Sequence, residues 1–129
     1  DARMAAAGSC PTCHDDEHTR NYDRSAHYKT WDAEAKGKAP AGTGVSCATC
    51  HLPRRKNPNG TILVEHNQNS NLRPTDKMVR DVCVNCHGVA FSLDAMADAE
   101  LVRQNFAGPP AKHISSMDMV EKREAARKK

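Results

Sequence analysis

Cys10-Pro-Thr-Cys13-His14, Cys47-Ala-Thr-Cys50-His51 and Cys83-Val-Asn-Cys86-His87 are three copies of one five-residue pattern, and together they use every cysteine of the 129-residue chain. Two cysteines with two residues between them reach the two vinyl carbons of one porphyrin and form thioethers. The histidine that follows is then held against the iron. This arrangement is the attachment signal of haem c. Zinc needs four ligands per site and gives no reason for a histidine directly after every pair. Cysteines so close in the chain make a poor structural disulfide, and a thioredoxin-like motif belongs at a helix start in a strand-rich domain, of which the sequence shows no sign. The three copies therefore predict three haem c groups, held by Cys10, Cys13, Cys47, Cys50, Cys83 and Cys86, with His14, His51 and His87 as proximal iron ligands.

The composition agrees with this reading. Only 38% of the residues are hydrophobic and 4% aromatic, with a mean hydropathy of −0.76. A chain this small with so little apolar material needs a metal, a disulfide or another staple to fold. A porphyrin is a large flat apolar body, so three of them would supply the missing core volume. The length suits a single domain over residues 1–129. The formal charge is +3. Ionised propionates on three haems would bring the protein close to neutral when oxidised and make it negative when reduced, so nucleic acid is not an expected partner. No apolar run approaches the length needed to cross a bilayer. Covalent haem attachment normally follows export, so the expected location is periplasmic or extracellular, with Asp1 at or near a processed N-terminus.

The patterns begin at residues 10, 47 and 83 and divide the chain into three units, each one haem with its wrapping. Lys36–Gly44 and the turn Asn57-Pro-Asn-Gly60 read as loops. Thr61–Val64 reads as one extended piece with no visible strand to pair with it. Ser92 is placed to cap a helix running to Asn105 or Phe106, with Asp94 in its first turn and Gly108-Pro109-Pro110 stopping it. A C-terminal helix over about 116–129 starts with Asp118 and ends in Arg127-Lys128-Lys129, the charge order that suits a helix dipole. The fold class expected is mainly α with long loops, little or no β, and a core formed largely by haem.

Four histidines lie outside the motifs: His18, His27, His66 and His113. Three irons need three distal ligands, so one histidine is spare. His18, only four residues beyond His14, is the natural one to set aside, which leaves His27, His66 and His113. Met4, Met78, Met96, Met117 and Met119 are the other candidate ligands, although helical methionine usually serves packing. His/Met ligation would raise the potential of the haem concerned.

The order Cys-x-x-Cys-His, then Ser25-Ala-His27, a second motif, then His66-Asn67 and a third motif resembles the multihaem cytochromes related to cytochrome c nitrite reductase and octahaem hydroxylamine oxidoreductase, over roughly residues 10–113. The resemblance implies crossed ligation: His66 opposite His14, His113 opposite His51, and His27 opposite His87. It also implies closely packed haems in series. The chain departs from the enzymes of that lineage, because it has no Cys-x-x-Cys-Lys for a lysine-ligated catalytic haem. Neither Tyr22 nor Tyr28 sits in a context that matches the tyrosine cross-link of the oxidoreductases. The expectation is an electron carrier with bis-histidine haems, serving redox partner proteins in a low-potential respiratory chain. The alternatives are a subunit of a larger cytochrome assembly or haem-stacked filament, in which copies of the chain are partners, and a small-substrate haem reductase with one open iron.

Overall fold

The computed structural model describes residues 2–128; Asp1, Lys129 and the side chains of Ala2, Met117, Met119 and Val120 lie outside the described residues, and with them two of the methionines weighed as ligands. The chain is mainly helical. Its helices are α1 (Ala2–Ser9), α2 (Glu17–Arg20), α3 (Ala26–Ala35), α4 (Cys47–His51), α5 (Gln68–Asn71), α6 (Lys77–Asp81), α7 (Val89–Ala97), α8 (Ala99–Arg103) and α9 (Ser115–Arg127). Single 3-10 turns lie at Cys10–Thr12, Tyr22–Arg24 and Cys83–Asn85. No described helix is long and apolar enough to cross a membrane.

Most of these helices are short, and local polar chemistry sets where they begin. Asp16 accepts from Thr19 N at 2.8 Å to start α2, Ser25 accepts from Tyr28 N at 3.0 Å to start α3, and Asp98 accepts from Leu101 N at 3.0 Å to start α8. Each bond satisfies one of the amide donors that the first turn of a helix leaves free. The single helix expected from Ser92 is therefore two. Asp98 leaves the helical conformation (φ −95°, ψ 92°) and restarts the chain as α8. Gly88, not Ser92, precedes α7; Ser92 is buried inside it and donates its hydroxyl to Gly88 O at 2.7 Å.

The extended piece does have a partner. Strand β2 (Ile62–Val64) pairs antiparallel with β1 (Arg54–Lys56), Arg55 opposite Leu63. Arg54-Arg55-Lys56 carries no apolar alternation, so only the pairing reveals it as a strand. The hairpin turns at Asn57–Gly60, where Gly60 adopts φ 87° and Asn57 N reaches Thr61 O at 2.8 Å.

Apolar burial is sparse. Met78, Val79 and Met96 form the buried cluster, with Cys50, Leu72, Val82, Cys83, Val84, Leu93 and Phe106 packed against it. The largest fully buried side chains are polar: Asn71, Asp94, Ser25 and Ser92. Val89 and Phe91, directly after the third motif, are exposed.

Candidate haem-binding site

Each five-residue motif folds into a tight turn that brings its histidine back over its first cysteine. His14 N bonds to Cys10 O at 3.0 Å and His87 N to Cys83 O at 2.9 Å, each at the end of a 3-10 turn. The second motif is the whole of α4, with Ser46 N bonding to Thr49 Oγ1 at 3.0 Å ahead of it. All six cysteines are free. The three motifs form a row. Cys47 is pushed up by burial and then by Cys10 of the first motif. Cys50 is pushed up to about 12 by burial and then by the thiols of Cys83, Cys47 and Cys86. The middle motif therefore adjoins both of the others.

Two of the motif histidines have a second imidazole close by. The rings of His27 and His87 are 6.2 Å apart, the juxtaposition that the resemblance implies. Burial, and then His87, lower the pKa of His27, which favours the neutral imidazole that a metal requires. The ring beside His51 is that of His18, at 6.4 Å. The sequence reading sets His18 aside and, on the resemblance, pairs His51 with His113. His113 lies instead against Asp94, whose Oδ2 accepts from its Nδ1 at 2.5 Å, with Glu121 at 4.0 Å. His66, exposed, donates Nδ1 to Val64 O at 2.9 Å.

A common feature links the histidines. His18 donates Nδ1 to Val102 O, and His51 donates Nδ1 to Gln68 Oε1 at 3.1 Å. With His66 and His113, four rings therefore spend Nδ1 as a donor, so Nε2 is the nitrogen left for any ligation. A metal-bound histidine is ordinarily held this way, its second nitrogen fixed by a carbonyl or carboxylate. The sequence reading missed these supports. Gln68 and the Val102 carbonyl carry no motif, and Asp94 looks like a first-turn helix acid. Asp94 is in fact buried and also accepts from Ile114 N at 2.8 Å. Burial alone would raise its pKa, but the Ile114 amide and the His113 ring outweigh it and hold the carboxyl low.

The residues fit haem on two further counts. Phe91 stacks on His87 with ring centres 5.0 Å apart and 30° between planes, so an exposed apolar surface borders a motif histidine. Arg55, Ser70, Lys77 and Arg80 line a hollow of about 520 Å³ whose cationic groups could meet carboxylates such as propionates. Within it Arg55 bonds Asp81 through Nη2 at 2.8 Å, while its buried Nε has no partner among the described residues. No protein-family model matches the chain, and no solved structure matches it.

Proposed function

We propose that this chain is an exported electron carrier that holds three haem c groups by thioethers, each iron closed by two histidines. The observation that supports it best is the contiguous row of Cys-x-x-Cys-His turns, two of whose histidines face a second imidazole at 6.2 and 6.4 Å. Haem, when bound, supplies the redox couple. The chain's residues determine how that couple behaves. The thiols fix the groups in series, and the imidazoles fill axial positions that a small substrate would otherwise need. The polar supports behind Nδ1 hold the rings in place, and a bis-histidine set lowers the potential relative to His/Met. The partners are redox proteins that exchange electrons at an exposed edge of the row. The test is the intact mass of protein matured in an exporting, haem-attaching host. It should exceed the polypeptide mass by three haems after denaturation, because thioethers do not dissociate. A gain of one or two, or none, refutes the reading.

A further inference from the structure

We propose that His18 is the axial ligand opposite His51. The inference rests on the haem reading above and deepens it. A metal–nitrogen bond of about 2 Å on either side, plus the half-widths of two five-membered rings, sets opposed axial imidazole centres about 6 Å apart. The His18–His51 separation of 6.4 Å matches that span as well as the 6.2 Å of His27–His87 does. Both rings of the His18 pair have Nδ1 committed, to Val102 O and to Gln68 Oε1, so the nitrogens left to face iron are the Nε2 pair. A histidine four residues after a proximal ligand cannot serve the same iron, but it can serve the next one along the row.

The position of His18 is built by several contacts. Asn105 Nδ2 donates to His18 O at 2.8 Å, Asn21 Nδ2 donates to Arg103 O at 3.2 Å, and Arg103 pairs with Glu17 at 3.5 Å, so α2 is pinned to the end of α8 at three points. That end is formed by two consecutive non-glycine residues in the left-handed region, Asn105 (φ 55°) and Phe106 (φ 57°). Such conformations are unfavourable for non-glycine residues and persist only where the surroundings demand them. Here they set the Phe106 ring 6.3 Å from His18 and 5.8 Å from His27, between the two distal imidazoles.

The experiment uses the full chain with three haem masses already established. In His18→Ala, one third of the ferric iron should turn high-spin by electron paramagnetic resonance, and added imidazole should return it to low-spin. The His18 and His51 planes meet at 79°. Near-perpendicular axial imidazoles give a strongly anisotropic low-spin signal, which should be present in the parent and lost in His18→Ala. If His18→Ala does not accumulate, His18→Met decides: one of three reduction potentials should rise while the protein stays low-spin. Fully low-spin iron in His18→Ala, or unmoved potentials in His18→Met, would each overturn the assignment. A missing haem mass would instead remove the carrier reading itself.

Discussion

Around Glu34 the chain is tied by directed polar contacts, whereas around Met96 it is held by apolar packing. Arg3 reaches both carboxylate oxygens of Glu34, at 2.9 and 2.7 Å, and Gly44 O at 2.6 Å; Gly44 N returns a bond to Glu34 Oε1 at 2.7 Å. Trp31 Nε1 donates to Met4 O at 3.0 Å and Tyr22 OH to Val45 O at 2.6 Å. These links bind α1 and α3 to the approach of the second motif. On the other flank, Met78, Val79 and Met96 pack directly against Cys50 and Cys83. The second motif thus lies between a polar knot, sensitive to geometry and charge, and the chain's apolar cluster, sensitive to volume.

The largest expected effect is on the apolar side. Met96→Ala removes a buried member of the cluster and should cost about 2–5 kcal/mol in denaturant unfolding, as buried Met→Ala changes typically do. A loss below about 1 kcal/mol would mean that the cluster is not what stabilises this flank.

On the polar side, Gly44→Ala should cost about 1–3 kcal/mol by overpacking. A Cβ there would lie 2.9 Å from Glu34 Oε1 and 2.9 Å from the Trp31 backbone, neither able to retreat without breaking the knot. Unchanged stability in the same unfolding assay would show that the knot gives way freely.

The smallest effect is read from the acid limb of the stability profile. The Arg3 guanidinium, and then the Gly44 amide, hold the Glu34 carboxyl down to about 2 from an ordinary 4.5. Because the folded value is the lower one, the ion pair stabilises fully above pH 4.5 and its contribution is lost as pH falls toward 2. Glu34→Gln should flatten that part of the stability profile and leave the remaining acid response intact. An identical profile in the variant would mean that Glu34 is not held low in solution. The same substitution should leave Met96→Ala unaffected in size, since separate regions add.

Much of the local structure was legible in the sequence. The five-residue motifs carry their own geometry, since one turn of chain is enough to return His14 and His87 to the carbonyls of Cys10 and Cys83. The helical class and the C-terminal helix, found at Ser115–Arg127, follow from composition and charge order. The break at Asp98 and the strand at Arg54–Lys56 were not legible. Asp98 acts as a cap only because its side chain finds Leu101 N, and a charged triplet becomes a strand only when Ile62–Val64 lies beside it.

The sequence by itself determined where the three Cys-x-x-Cys-His turns lie, because thiol spacing and the adjacent histidine are matters of a few consecutive bonds. Only the tertiary structure decided which histidine faces which. His18 lies beside His51 because α2 is pinned on Asn105 and Arg103, and His113 bonds to the buried Asp94. Those choices depend on contacts between segments far apart in the chain, and no local pattern of residues encodes them.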